Sequence, residues 1–342
     1  MKAREKGITV GKLSTGLKNC ITDVEGVLVG HVTLDYQLDE HGEEYACTGV
    51  TAILPHKGNL FREKVTAASY VINGFGKTTG LVQLNELGVL ESPIMLTNTF
   101  GVPAVTQGTL EYMLEESPEI GETTGTINIV VGECNDSYLN SIRLFPVKPE
   151  HAIEAIKNAS CDQVAEGAVG AGKGMICFGY KGGIGSSSRI VEEYTVGCLV
   201  LSNFGKKEEL QRLRYSAGDG LSETSDGSII IVLATDAPLS DRQLQRVAKR
   251  CGIGLGRTGS HFSHGSGDIV IAFSTAQKMA HFSDEMVETR TQLREDHLIM
   301  NQLFTAAAEA AEEAILNSLS QAATTTGRLG REVNHLNFYK EE

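Results

Sequence analysis

Short apolar segments bounded by glycine recur along this chain, and a few longer stretches carry apolar residues at helical spacing. Compact apolar runs between turn residues are typical of buried strands, whereas recurrence at i, i+3 and i+4 predicts helices. The pattern predicts strands over 49–54, 93–96, 126–131, 175–180, 189–194, 194–201, 228–234 and 268–273. It predicts helices over 77–90, 103–116, 151–159, 240–251 and 298–319.

Glycines inside two apolar stretches predict turns. Residues 21–34 alternate in a strand-like way around Gly26 and Gly30, which predicts a hairpin. The cluster Gly182–Gly185 predicts a turn between the strands on either side of it.

The chain between 205 and 227 loses the apolar pattern, being charged at first and then rich in Ser, Gly and Asp, so we expect an exposed linker there. After it, Ser240 and Gln243 have the spacing of a capping box at a helix start. The mixture of short strands and helices indicates an α/β or α+β layered sandwich, with sheets inside and helices outside.

Composition and charge narrow the class of protein. A chain of 342 residues can bury a large core, and 38 glycines suit a sheet-rich fold with a site built from loops. The net charge of −13 argues against nucleic-acid binding, because the basic pairs Lys206-Lys207 and Lys249-Arg250 are isolated.

The seven cysteines contain no Cys-x-x-Cys pair, which argues against a disulfide framework and a structural zinc site. The first seven residues lead into no long apolar run. We therefore expect no secretory signal, no membrane span and a cytoplasmic protein.

The segment Ser225-Asp226-Gly227-Ser228 ends where an apolar β-branched run begins. Glycine removes crowding on the acyl side of the 227–228 bond, and the serine hydroxyl can attack that carbonyl. Cleavage there would leave Ser228 with a hydroxyl and a free α-amine, the pairing of an N-terminal nucleophile hydrolase. The same composition is also typical of an ordinary turn before a strand.

A glycine-rich stretch, 167–174, fits the first seven positions of a phosphate-binding P-loop. Its eighth position is Gly174 instead of Ser or Thr, and residues 162–166 are not a buried strand. These departures favour a glycine-rich turn, with a non-catalytic or nucleotide-binding protein as the alternative.

The stretch 261–268 gathers hydroxyls, imidazoles and a carboxylate before a predicted strand. Ser266 and Asp268 are two residues apart and therefore share one face of a strand, where the pair can relay a proton near a second serine. A polar turn, a conventional Ser-His site using His261 or His264, and a metal site are the alternatives, although no third metal ligand has suitable spacing.

Two further polar residues follow predicted strands. Asn203 can donate its side-chain amide to an oxyanion, or cap a turn. Glu133 can meet a substrate ammonium, or be solvated.

Taken in order, these segments resemble one family across nearly the whole chain: the L-aminopeptidase/D-esterase and β-aminopeptidase group of self-cleaving serine peptidases. The likeness comprises Ile21–Gly26 through His31, Val71–Lys77, Pro93–Thr99, Gly132–Asp136, Gly182–Ser186, Asp226–Ser228, Gly265–Asp268 and Thr324–Arg328. The many segments in the same order make the resemblance specific.

The resemblance implies a four-layer α-β-β-α sandwich forming one catalytic domain over 1–342. It implies cleavage between Gly227 and Ser228 into an α chain of 1–227 and a β chain of 228–342, and a homo-oligomer of the processed heterodimer. The expected substrates are small peptides, amides or esters with a free amino group, which Glu133 would meet. No cofactor or metal is expected.

The resemblance also assigns catalytic roles. It implies that Ser228 is the nucleophile, Asn203 the oxyanion donor and Tyr138 an aromatic hydroxyl near the nucleophile. Ser266 and Asp268 match the hydroxyl and acid that assist proton transfer, although some relatives carry Glu at the acidic position. Ornithine acetyltransferases are similar in fold and also cleave themselves, but their nucleophile is threonine.

Overall fold

The computed structural model describes residues 1–212 and 227–338. Its strands are β1 (Leu28–Gln37), β2 (Tyr45–Leu54), β3 (Glu63–Gly74), β4 (Val89–Leu90), β5 (Ile94–Asn98), β6 (Val130–Cys134), β7 (Ile176–Cys177), β8 (Tyr180–Lys181), β9 (Gly183–Val191), β10 (Tyr194–Asn203), β11 (Ser228–Thr235), β12 (Gly267–Ala280), β13 (Thr325–Thr326) and β14 (Glu332–Val333). Its α-helices are α1 (Leu81–Leu87), α2 (Val102–Glu116), α3 (Pro149–Lys157), α4 (Asp241–Ala248), α5 (Cys251–Arg257) and α6 (Ile299–Ser320).

Two large sheets pack face to face, and helices cover both outer faces. One sheet has the order β1-β2-β5-β6 and the other β4-β3-β12-β11-β10-β9. Leu96 and Ile230 belong to the apolar core between the sheets. Val50 belongs to the core under α2 and α3, and Ile231 to the core under α4, α5 and α6. Three apolar interfaces separate four layers, which confirms the predicted α-β-β-α sandwich.

The predicted hairpin over 21–34 is wrong. A short 3₁₀ helix (Ile21–Asp23) precedes β1, which runs through Gly30 without a turn. A β-carbon at Gly30 would lie 2.1 Å from the carbonyl oxygen of Ala155. This glycine is needed because α3 packs directly on the strand, so it signals close approach and not a turn.

The predicted turn over 182–185 is wrong for the same reason. Gly183 and Gly185 lie inside β9, and a β-carbon at Gly185 would lie 1.9 Å from the carbonyl oxygen of Ala314 in α6. The turn falls earlier, between β7 and β8, where Phe178 and Gly179 both have positive φ angles. The predicted strand 175–180 is therefore two short strands.

The remaining elements agree with the predictions to different degrees. The helix predicted over 77–90 is only α1 followed by β4, and the one over 240–251 is divided into α4 and α5. The strand predicted over 126–131 begins at Val130, where pairing with β5 begins. Ser240 and Gln243 form the predicted capping box.

Residues 213–226, which include most of the predicted linker as well as Ser225 and Asp226, lie outside the described residues. Within the described ranges, no helix is long and apolar enough to cross a membrane.

Candidate active site

The centre of the site is Ser228, the first residue of β11. In the sheet it is directly opposite Asn203, the last residue of β10. The Ser228 Oγ accepts a hydrogen bond from the backbone N–H of Gly267 at 3.0 Å, at the start of β12. Three neighbouring strand ends therefore meet at one hydroxyl, and the backbone holds its oxygen in place.

Ser266 and Asp268 flank the glycine that binds Ser228. The Ser266 hydroxyl donates to Asp268 Oδ1 at 2.5 Å, so the contact expected between these two side chains is present. Asp268 is fully buried, and its Oδ2 atom has no hydrogen-bond partner among the described residues. Burial raises the pKa of this carboxyl to about 6, although the bonds from Ser266 and the Ile229 backbone lower it. The carboxylate is therefore a proton acceptor close to neutral pH.

The amide of Asn203 is held from both ends. Its Oδ1 accepts from the Ile176 backbone N–H at 2.9 Å, and its Nδ2 donates to the Asn135 carbonyl at 3.0 Å. An amide nitrogen carries two N–H bonds, and only one of them has a partner among the described residues, so the other can bind a substrate oxygen.

Gly227 lies against the backbone of the same asparagine. A β-carbon at position 227 would lie 2.0 Å from the Asn203 carbonyl oxygen and 2.7 Å from the Phe204 Cα. Only a residue without a side chain fits beside Asn203 without moving the backbone. The glycine therefore brings the 227–228 peptide bond close to the asparagine.

Glu133 lies near the end of β6 and is 3% exposed. Its Oε1 accepts from the Lys77 backbone N–H at 2.9 Å, and its Oε2 accepts from the Thr99 hydroxyl. These neutral donors fix the direction of the carboxylate without neutralising its charge. A carboxylate held in this way can bind an ammonium group.

Glu133 and Ser228 line the same cavity, whose volume is about 460 Å³. This size suits a small-molecule or short-peptide ligand. Its lining residues are Phe75, Lys77, Thr99, Phe100, Glu133, Asn135, Ser137, Ile142, Arg143, Ser228 and Gly265. The cavity thus joins the hydroxyl and the carboxylate, and Phe75, Phe100 and Ile142 give it apolar walls.

The side chain of Tyr138 is not among the residues that line the cavity. Its ring centroid lies 4.8 Å from the Arg331 guanidinium, the side chain is 38% exposed, and it is Ser137 that lines the cavity. Its assignment near the nucleophile stays a prediction.

Sequence reasoning missed several residues of this site. Lys77 and Thr99 are the last residues of two segments that carry the family resemblance. The resemblance therefore includes both residues, but it assigned no role to either of them. Gly267 lies between the two predicted residues Ser266 and Asp268. Arg143 lies in a 3₁₀ helix (Ile142–Leu144) outside every predicted element, and no sequence pattern pointed to it.

The structure does not support the Ser-His alternative. His261 and His264 are exposed, and it is Gly265 of this stretch that lines the cavity. Across residues 1–212 and 227–338, no group of three or more His, Cys, Asp and Glu residues could hold a metal ion.

The structure also argues against a P-loop at 167–174. The backbone N–H groups of Gly170 and Ala171 already donate to threonine hydroxyls. The carbonyl of Gly172 accepts from the buried Lys181 ammonium at 3.0 Å. A loop that presents carbonyl oxygens to a cation has the opposite polarity to a phosphate cradle, whose N–H groups point at the ligand.

Comparisons with known proteins show which family the chain is similar to. Residues 19–333 match the model of peptidase family S58. The chain is 41% identical to the beta-peptidyl aminopeptidase BapA of Sphingosinicella microcystinivorans, across 98% of this chain and 89% of that protein.

Solved structures extend the similarity to the whole fold. The PH0078 protein from Pyrococcus horikoshii superposes with a TM-score of 0.90 at 51% identity, covering 98% of this chain and 96% of that one. The L-aminopeptidase D-Ala-esterase/amidase from Ochrobactrum anthropi superposes with a TM-score of 0.91 at 33% identity, covering 98% and 95%. The latter is described as a variant of the N-terminal nucleophile hydrolase fold.

Proposed function

The chain belongs to peptidase family S58 and is an aminopeptidase of that family; we propose that it cleaves itself between Gly227 and Ser228 and then uses Ser228 to release N-terminal residues from short peptides, amides or esters. One observation carries the proposal. Ser228 is paired across the sheet with Asn203, whose amide is fixed by two hydrogen bonds, and Ser228 lines a cavity that also contains the buried Glu133 carboxylate.

In the proposed self-cleavage, the Ser228 Oγ attacks the carbonyl carbon of Gly227. The bond from that carbon to the Ser228 nitrogen breaks, the hydroxyl proton passes to the nitrogen, and residue 227 is left as an ester on Oγ. Water then hydrolyses the ester to a Gly227 carboxylate and a free Ser228 hydroxyl and α-amine. The buried Asp268, bonded to Ser266, supports the proposal because it can accept a proton near neutral pH.

In the proposed turnover, Glu133 binds the substrate ammonium and Oγ attacks the first carbonyl. The Ser228 α-amine, whose reference pKa is about 8, takes the hydroxyl proton and returns it to the leaving group. The free N–H of Asn203 stabilises the oxyanion. Water then releases the acyl group from Oγ and regenerates the hydroxyl.

The experiment compares wild type with Ser228→Ala by intact mass and by hydrolysis of aminoacyl p-nitroanilides. We expect wild type to give fragments of 227 and 115 residues, and the variant a single species of about 36.7 kDa without activity. A cut and active variant would refute the proposal.

The same assay addresses substrate scope. The relatives are named beta-peptidyl aminopeptidase and L-aminopeptidase D-Ala-esterase/amidase. A panel with L-α-, D-α- and β-amino acid anilides determines which N-terminal residue the cavity accepts.

A further inference from the structure

The active-site cavity contains two cationic side chains to which the proposed hydrolysis of an aminoacyl group assigns no role. Lys77 and Arg143 both line it. Among residues 1–212 and 227–338, neither side chain forms an ion pair. The protein has 43 acidic and 30 basic residues, so carboxylates to pair with are plentiful. Two unpaired cations in the cavity of an acidic protein therefore favour an anionic ligand group.

The two cations differ in their surroundings. The Lys77 ammonium lies 4.5 Å from the Phe75 ring centroid, a cation–π distance, and its backbone N–H binds Glu133. Arg143 is exposed, and its planar guanidinium can bind a carboxylate through two parallel hydrogen bonds. We therefore assign the main contact with an anion to Arg143.

The position of Glu133 indicates which carboxylate of the substrate would bind Arg143. A carboxylate on the N-terminal side chain would lie close to the ammonium and hence to Glu133, which repels it. The carboxylate of the leaving residue lies beyond the scissile bond, at the far end of the substrate from Glu133. Glu133 and Arg143 line one cavity and, among the described residues, form no ion pair with each other, so their opposite charges match the two charges of a zwitterionic short peptide.

We propose that Arg143 determines substrate specificity by binding the free carboxylate of the leaving residue, so that the enzyme prefers short peptides with an unblocked C-terminus. This inference rests on the proposed aminopeptidase function. Phe75, Phe100 and Ile142 line the same cavity and offer apolar contact to the substrate side chains. The ring of Phe100 stacks on that of Phe145, two residues after Arg143, with the ring centroids 5.8 Å apart.

The test uses matched substrates. The N-terminal residue X is the one that the processed enzyme hydrolyses best as a p-nitroanilide, and kcat/KM is measured for X-Ala and for X-Ala amide. We expect wild type to prefer the free acid about tenfold, which corresponds to about 1.4 kcal/mol. Arg143→Gln should bring the ratio close to one. Arg143→Lys, which keeps the charge but loses the planar fork, should give an intermediate ratio.

The matched control is Arg294→Gln, which removes the same charge from an arginine whose side chain is 80% exposed and pairs with Asp296. It should keep the wild-type ratio. A ratio near one in wild type, or an equal ratio in wild type and Arg143→Gln, would overturn the inference. So would an effect of Arg143→Gln confined to p-nitroanilides of N-terminal Asp or Glu. In each of these cases the processed enzyme still hydrolyses the p-nitroanilide of X, which supports the proposed function. An enzyme that does not hydrolyse this anilide would instead contradict the proposed function.

Discussion

Replacing Gly227 by alanine tests whether the geometry beside Asn203 governs self-cleavage. The new β-carbon would lie 2.0 Å from the Asn203 carbonyl oxygen, whereas real β-carbons stay at least 3.0 Å from such an atom. The backbone must therefore move by about 1 Å at the scissile bond. A misplacement of about 1 Å in a reacting group can lower a rate by about 10².

The assay follows purified precursor over time on a denaturing gel and by intact mass. We expect Gly227→Ala to convert the species of about 36.7 kDa to the two fragments about a hundredfold more slowly than wild type. Once the bond is cut, residue 227 is a free C-terminus and no longer constrains Ser228. The activity per cut molecule should therefore be close to that of wild type.

The matched control is Gly125→Ala, because a β-carbon at Gly125 would have no atom within 4 Å. This variant should be processed at the wild-type rate. If Gly227→Ala is also processed at that rate, the contact with Asn203 does not set the geometry of cleavage. If the cut form of Gly227→Ala has lost peptidase activity to the same extent as its precursor has lost the rate of self-cleavage, the alanine has damaged the fold and has not acted on the cleavage step alone.

Three further predictions concern the other site residues. Asn203→Ala should lower kcat by about 10²–10³ with a much smaller effect on KM, because an oxyanion donor acts only in the transition state; an effect on KM alone would contradict this role. The rate of self-cleavage of the precursor should fall as the pH drops through about 6, because Asp268 becomes protonated there. The rate of substrate turnover should already decline below a pH of about 8, because the α-amine of Ser228 becomes protonated there. The precursor has no free amine at Ser228, so the same acid-side pH dependence for self-cleavage and for turnover would disprove these two assignments. In Asp268→Asn, the residual rate of self-cleavage should no longer change with pH near 6. Glu133→Gln should reduce the preference for a free over an acetylated amino terminus by about 10–100-fold, as expected for one hydrogen bond to a charged group, and an unchanged preference would place the ammonium elsewhere.

The apolar pattern predicted the central elements of the fold because the central strands are buried on both faces and appear as continuous apolar runs, whereas α2 and α3 bury one stripe at helical spacing. The strands at β2, β5, β10, β11 and β12 and the helices α2, α3 and α6 were found in this way. Glycine was the main source of error. At Gly30 and Gly185 the sequence was interpreted as a turn, although the residue is needed for the packing of a helix on a strand. Such a contact involves a segment more than a hundred residues away, which no local pattern can show.

Local spacing along the sequence shows which segments are buried and which residue types are available for the chemistry. A serine follows a glycine at the start of an apolar run, and Ser266 and Asp268 share one face of a strand because strand side chains alternate. The order of the segments along the chain was enough to identify the family. These features depend on local spacing, which the sequence records directly.

The arrangement of the site residues depends on long-range contacts in the folded chain. Sheet pairing places Asn203 opposite Ser228, the packing of the two sheets gives both Ser228 and Glu133 access to one cavity, and burial raises the pKa of Asp268. Arg143 joins the same cavity from a short 3₁₀ helix that no sequence pattern predicted. Distances across strands, desolvation and the shape of a cavity depend on which distant segments meet, and that is settled only when the chain has folded.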